Sequence, residues 1–477
     1  MKVLVILTGI EKREEAELIF SSLSPDASWA EKAIILPPGK YLEIPVRRYI
    51  SEYAEGTETI SRLLAETSAD YVLWMDARKI ESVSPEAIEC CLSSAQESGA
   101  SLVYADYSDH PVNDYELGSV RNNFDFGPFL FLDRARLEEV LKVRKASYRY
   151  AGLYDLRLGL SRRGTILHLR EPLGKKKMGN DYEKDKFSYL DPAHEAYERE
   201  MELALTAHLK EINAYLPPRF FPLPDDDTSY PVEVSVVIPV KNRMSTIREA
   251  VKSALAQKTR FSLNVIVVDN HSTDGTSRIL DELRGQHENL VILRPERADL
   301  NIGGCWNLAV RSPFCGRFSV QLDSDDVYEH EQAVEKMVDM LRSGDYAMVV
   351  GSYTLVNGKG EILPPGIITH REWTEENGRN NALRVEGFGA PRAFRTGILR
   401  KNPFPNVSYG EDYALGLRIS RFYRIGRIFE SLYLCRRWEG NSDTQLTWEK
   451  INLFHAYKDR LRTIEIMARK RMNEGAP

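Results

Sequence analysis

Residues 317–326 read Arg317-Phe-Ser-Val-Gln-Leu-Asp323-Ser324-Asp325-Asp326, a short apolar run that stops on three carboxylates. Such a run reads as a buried strand, and strand ends are where open α/β sheets present their ligands. Upstream stand Val234-Ser-Val-Val-Ile-Pro239-Val240-Lys-Asn242-Arg243 and Val265-Ile-Val-Val-Asp269. The first is followed by a helical pattern with Ile247, Val251, Ala254 and Leu255 on one face. Continuous Val/Ile runs followed by amphipathic helices predict buried parallel strands in β-α units.

The first half repeats this order. Val3–Leu7 precedes a turn at Thr8-Gly9 and a helical pattern, and Tyr71–Asp76 is another apolar run ending in an acid. Phe126-Gly127-Pro128 matches Phe388-Gly389-Ala390-Pro391, and Leu153–Ser161 matches Gly410–Arg418 with Asp155 at the place of Asp412. Four matches in one order predict two copies of one α/β domain. Between them, Asp181–Lys186 reads as solvated, Ala193–Leu216 as helix-prone, and Pro217–Asp227 as a proline-rich break. The expected division is 1–185, a linker 186–230, and 231–477 with a C-terminal helix. That helix, within Thr447–Met472, carries Leu453, Tyr457, Leu461 and Ile464 at helical spacing as its expected docking face, with Arg469-Lys470-Arg471 as a solvated basic end.

Composition bounds the rest. With 64 Lys+Arg against 70 Asp+Glu and a net charge of -6, the 477 residues lack the basic excess of a nucleic-acid binder. Five cysteines without CxxC pairing indicate neither a disulfide framework nor a zinc site, and suit a reducing, cytoplasmic setting. No apolar run reaches the roughly 18 residues of a membrane span. Contact with a membrane is therefore expected to be peripheral at most, at its inner face.

The chemistry-bearing clusters lie in the second half. They are Pro239–Arg243, Asp269-Asn270-His-Ser272-Thr273-Asp274-Gly275-Thr276, Asn301-Ile-Gly303-Gly304-Cys-Trp-Asn307, Asp323–Asp326 and Gly410-Glu411-Asp412. Each alone has an ordinary reading as a turn, a helix cap or a solvated loop. Together they suit one reaction. Crowded carboxylates at Asp323 and Asp325 invite a hard divalent cation, and magnesium needs only one or two of them beside substrate phosphates. Asp269 suits hydrogen bonds from a nucleobase or ribose, and Gly303 and Gly304 permit a ligand close to the backbone. Asp412 is a separate candidate base. His271 and His370 have no partners at metal-ligand spacing.

In this order the motifs resemble the family 2 glycosyltransferases over about residues 232–445. The resemblance implies a GT-A fold, Rossmann-like with a mixed, mostly parallel sheet, in two tandem copies. It implies an inverting, hexosyltransferase-type enzyme (EC 2.4) of polysaccharide biosynthesis that moves one sugar from a nucleotide-sugar, a UDP-sugar by preference, to a glycan or lipid-linked acceptor. By the same resemblance Asp412 is the catalytic base with Glu411 beside it. Asp325 and Asp323 hold Mn2+ or Mg2+, and Pro239, Val240, Asn242 and Asp269 line the base pocket. Asn301, Gly303, Asn307, Asp323 and Ser324 border the donor, and Gly360–Pro391 forms the acceptor side.

Trp438 stands where many members carry a metal-side His, so Arg437 and Trp438 are assigned to phosphate and sugar, with Arg436 as an alternative phosphate ligand. In the first half Asp76-Ala77-Arg78 places a cation at the second acid, and Leu36-Pro37-Pro38-Gly39 replaces the Asp269 loop. A GT-A-like domain without full catalytic equipment is expected there, serving acceptor binding, scaffolding or a homo-oligomer. Two other classes share parts of this pattern. A sugar-phosphate nucleotidyltransferase would need a Gly-rich loop after the first strand, which Pro239–Arg243 is not. A non-enzymatic glycan-binding or scaffold protein suits the first half alone.

Overall fold

The computed structural model describes residues 1–23, 30–177, 194–438 and 446–475. Asp181–Lys186 and the expected boundary at 185/186 lie outside the described residues. The chain divides into two compact units, Met1–Tyr215 with Thr447–Pro477, and Leu216–Leu446.

The first unit has strands β1 (Val3–Thr8), β2 (Ala30–Leu36), β3 (Arg47–Ile50) and β4 (Tyr71–Asp76). These are followed by β5 (Ile80–Val83), β6 (Leu102–Tyr107), β7 (Leu130–Asp133) and β8 (Ile166–Lys176). The second has β9 (Val234–Val240), β10 (Leu263–Asp269), β11 (Leu290–Leu293), β12 (Phe318–Gln321) and β13 (Val327–Tyr328). It continues with β14 (Tyr346–Asn357), β15 (Ile362–Ile368), β16 (Arg392–Arg395) and β17 (Arg424–Arg437).

The sheet orders are β3-β2-β1-β4-β7-β6-β8-β5 and β11-β10-β9-β12-β16-β14-β17-β13, with β15 added on β14. Position by position they are the same sheet. In each, the first strand pairs in parallel with its two neighbours, and β7 or β16 runs antiparallel beside them. The expected pair of GT-A-like domains is what the chain forms. Every residue of β1 is buried, as are Val234, Val236, Val237 and Ile238 of β9. Each fully buried Val, Leu or Ile contributes about 1.5–3 kcal/mol, so the sequence's apolar runs become the two cores. Gly127 and Gly389 both take positive φ just ahead of β7 and β16, so the matched Phe-Gly segments are structurally equivalent.

The segment after β2 departs from the second unit, as Leu36–Gly39 led one to expect, and the C-terminus departs from the sequence reading. Among the described residues, 37–46 form no helix between β2 and β3, where the second unit has one at Thr276–Arg284. The C-terminal helix (Trp448–Asn473) belongs to the first unit, not the second. It also docks by the face opposite to the expected one. Asp459 is buried and pairs with Arg121 at 3.4 Å and Arg462 at 2.7 Å, while Thr463 Oγ1 accepts the Gly118 N–H at 2.8 Å. Arg469, assigned to a solvated end, is buried and paired with Glu465 at 2.7 Å. Buried charges survive only when paired, so this face specifies its partner surface where apolar contact would not.

Candidate active site

The parallel strands β9, β10 and β12 end on one edge of the second sheet, with Asp269 beside Val240 and Gln321 beside Val237 in register. Pro239 and Val240 therefore lie alongside Val268 and Asp269. The loops beyond are stitched together. Asn242, at φ 54°, accepts the Thr273 N–H at 2.8 Å, and its own N–H donates to Ser272 Oγ at 3.0 Å. Arg243 and Met244 donate their N–H groups to Thr276 and Asp274. Asp269 is buried and accepts from Ser277 Oγ at 2.5 Å and the Ser272 N–H at 3.3 Å, with Arg294 at 3.8 Å. The turn reading of this segment holds, since Asp274 accepts the Thr276 N–H at 3.0 Å just ahead of the helix Thr276–Arg284.

At the end of β12, Asp323 donates its N–H to the Tyr433 hydroxyl at 3.0 Å and accepts from Gln321 Nε2 at 2.9 Å. Asp325 lies 3.6 Å from Arg243 Nε. Asp326 is buried and accepts the Arg436 N–H at 2.8 Å. Burial, and then the charge of Asp323, push the Asp325 carboxyl above its ordinary value, partly offset by Arg243. Burial with the charges of Asp323 and Asp325 raises Asp326 further. This strained acidic end is the donor chemistry a hard cation relieves. Among the described residues no set of three His, Cys, Asp or Glu side chains converges on one point. Asp323 and Asp325 are carboxylates of the kind that hold such an ion beside water and phosphate.

Arg436 is committed to structure. Its Nε donates to the Asp325 carbonyl at 2.5 Å and its guanidinium pairs with Glu249, so it braces the acidic turn. Arg437 ends β17 half-buried, and Trp438 beyond it is half-buried with an indole N–H that finds no acceptor among the described residues.

Asp412 sits in the first turn of the helix Glu411–Phe422, entered through Gly410 at φ 78°. One carboxylate oxygen accepts the Tyr413 N–H at 2.7 Å, and the other pairs with Arg392 at the start of β16. Burial opposes the charge of Arg392, but Asp412, then Asp323 and Glu411, outweigh it and hold the guanidinium protonated. Arg392 therefore senses both the Asp412 helix and the acidic strand end. Glu411 is buried, with one oxygen lacking a hydrogen-bond partner among the described residues. Burial and the neighbouring Asp412 charge push its carboxyl up to about 8.

Asn301, Gly303 and Asn307 lie on or beside the helix Ile302–Arg311, turned toward the loop that leads to Asp412. Asn307 clamps Phe404, donating to its carbonyl at 2.8 Å and accepting its N–H at 3.0 Å. Asn301 donates its backbone N–H to Asn406 Oδ1 at 2.8 Å and accepts from Ser408. A side chain on Gly303 would meet the Pro405 carbonyl at 1.9 Å, and one on Gly304 the Asn406 side chain at 2.3 Å. These glycines let the loop, not a ligand, approach the helix, which corrects the expectation for them.

The first unit shows the alternative. Arg78, at the place of Asp325, folds onto Asp76 with Nη2 at 2.8 Å and Nε at 2.9 Å. Burial raises the Asp76 carboxyl, but the bonds from Arg78 win and hold it low. The pair covers the end of β1, where a side chain on Gly9 would collide with it. Asp155 is buried against Arg144 at 2.7 Å, and burial pushes it up to about 6.

The sequence profile described as Glycosyl transferase family 2 matches residues 235–402. Glycosyltransferase GlyG of Streptococcus pneumoniae serotype 4 is 30% identical over 243 residues, covering 46% of this chain and 76% of GlyG. The chain belongs to glycosyl transferase family 2. An uncharacterized glycosyltransferase of Rickettsia felis is 25% identical over 202 residues, covering 42% of this chain and 32% of that protein. The chain spans about a third of the length of such curated relatives. Among solved structures, S. aureus TarS 1–349 in complex with UDP-GlcNAc aligns with a TM-score of 0.38 at 22% identity, covering 50% of this chain and 73% of that one.

Within this family 2 chain, the sequence reading missed Arg392, Asn406 and Tyr433. Arg392 follows directly on the Phe388–Pro391 segment already singled out, and was the one legible signal of the three. Asn406 and Tyr433 act from positions distant in the chain and carry no local mark.

Proposed function

We propose that the second unit is an inverting, hexosyltransferase-type enzyme of polysaccharide biosynthesis. It moves one sugar from a nucleotide-diphosphate sugar, a UDP-sugar by preference, to a hydroxyl of a glycan or lipid-linked acceptor. The observation that carries this reading is Arg392, paired with Asp412 and under the charge of Asp323. It makes the base helix and the acidic strand end parts of one electrostatic unit.

Single-displacement glycosyl chemistry puts base and leaving group on opposite faces of the anomeric carbon. Asp412 takes the acceptor proton on its carboxylate as the new bond forms. Glu411, kept neutral beside it, adds no second negative charge. Asp325 with Asp323 would hold Mn2+ or Mg2+, which when bound offsets charge on the departing diphosphate. Asp269, Pro239, Val240 and Asn242 contact the nucleoside, and Ser324, Arg437 and Trp438 the phosphate and sugar. Asn301, Gly303 and Asn307 act on the donor side through the loop they hold. The first unit, its acid neutralised by Arg78, serves acceptor binding or scaffolding, in a cytoplasmic protein whose five thiols are free.

The test is donor turnover by the full chain with a panel of UDP- and GDP-sugars, with Mn2+, Mg2+ or chelator. Metal-dependent turnover of one donor is expected. Tight nucleotide binding without turnover of any donor, whatever the metal or acceptor, would sink the reading.

A further inference from the structure

Strand β12 ends on a buried amide directed at the acid two residues on. Gln321 is 2% exposed, and its Nε2 donates to Asp323 Oδ1 at 2.9 Å. Its Oε1 is buried and finds no hydrogen-bond partner among the described residues. Gln321 pairs with Val237, the fourth residue of β9, and stands two before Asp323. In the first unit Trp74 pairs with Ile6, the fourth residue of β1, and stands two before Asp76. The two positions are therefore equivalent. Trp74 is buried and shares the lining of a small apolar pocket with Ile6, Val72, Leu132 and Leu156. An apolar side chain satisfies the fold at this place, and the second unit carries a polar one.

A half-satisfied amide in a core costs folding free energy that an apolar residue spares, so its presence calls for a task. Its orientation names one. Turned over, the amide would set its carbonyl oxygen against the Asp323 carboxylate, so the N–H is committed to that acid. The main chain on either side is pinned by other groups. The Tyr328 hydroxyl donates to the Gln321 carbonyl at 2.7 Å, and the Asp323 N–H donates to the Tyr433 hydroxyl at 3.0 Å. What is left for Gln321 to hold is the carboxyl group itself. Carboxylates that ligate metals are ordinarily fixed by such outer hydrogen bonds, each worth about tenfold to a hundredfold in metal affinity. We infer that Gln321 is a positioning residue, which fixes the Asp323 carboxylate for a divalent cation shared with Asp325 and a nucleoside diphosphate. This rests on the reading of Asp323 and Asp325 as metal ligands, and adds to it a residue that acts through Asp323.

Mn2+ binding to the full chain with UDP present tests it without turnover, read from the electron paramagnetic resonance signal of the free ion. Gln321→Met keeps the length of the side chain and removes its donor. It weakens Mn2+ binding about tenfold or more, while UDP binding in chelator stays as in the parent. Its melting temperature equals or exceeds the parent's, because a buried unsatisfied atom is gone. Gln321→Leu, of different shape, repeats both results. Mn2+ binding unchanged in the two variants, against a parent that binds, overturns this proposal alone. A joint fall of melting temperature, Mn2+ binding and metal-free UDP binding also overturns it, since loss of packing produces that pattern. A parent that binds UDP but no Mn2+ overturns the metal reading and this proposal with it.

Discussion

At the end of the fourth strand of each sheet an aspartate follows an apolar run, and two residues later the units part. In the second, Asp323 is followed by Asp325, and burial with mutual repulsion leaves the pair short of positive charge. In the first, Asp76 is followed by Arg78, which bonds both its oxygens and satisfies it internally. The same strand order thus supports an end that wants a cation and an end that supplies its own. The helix behind β7 or β16 differs likewise. Asp412 is a quarter exposed beside Arg392, whereas Asp155 is almost fully buried against Arg144. Fold duplication preserved backbone paths, and single side chains decided which copy kept reactive groups in reach of solvent.

The largest expected effect is on the base. Asp412→Asn lowers transfer roughly a thousandfold with donor affinity retained, while Asp155→Asn leaves transfer unchanged. Equal losses from both would break the comparison. Next is the acid-to-cation exchange. Asp325→Arg imports the first unit's arrangement and cuts turnover about a hundredfold, abolishing the response to added metal. Titrating Mn2+ against turnover measures both effects. Asn307→Ala removes two hydrogen bonds from the base-bearing loop, and lowers kcat roughly tenfold with little change in nucleotide affinity.

The smallest effect is on stability against pH. Glu411 is raised from 4.5 to about 8 on folding, so the unfolded chain releases its proton first and stability falls as pH rises across that window. Glu411→Gln therefore melts like the parent near pH 4. It gains on the parent up to pH 8, by at most a few kcal/mol. Asp155, raised from 3.8 to about 6, gives the same sign over a window that closes two units earlier. Melting curves across pH 4–9 read both. A flat difference for Glu411→Gln would mean that the buried oxygen finds a partner in solution.

What was legible in the sequence was what local pattern governs. Val234–Val240 and Val265–Asp269 announce themselves because buried parallel strands are apolar throughout, and Asp323, Asp325 and Asp412 because acids at element ends are visible without knowing the fold. The pairing of Leu153–Ser161 with Gly410–Arg418 was also readable, since a repeat needs no geometry. The partners of Gly303 were not, because Pro405 lies a hundred residues away and only packing reveals that a carbonyl fills the missing side chain. The face of the C-terminal helix was misread for a related reason. Leu453 and Ile464 stand at the spacing of an inward-facing apolar stripe yet are exposed, because buried pairs such as Arg121 with Asp459 override the rule through contacts no local window contains.

That pair has a consequence for how the chain is made. Arg121 emerges from the ribosome more than three hundred residues before Asp459, and all of Leu216–Leu446 is synthesised in between. The first unit is begun first but cannot acquire its closing helix until the second has been translated in full. The order of completion therefore runs against the order of synthesis: the later domain can close while the earlier one waits, its buried arginine still without a counter-ion.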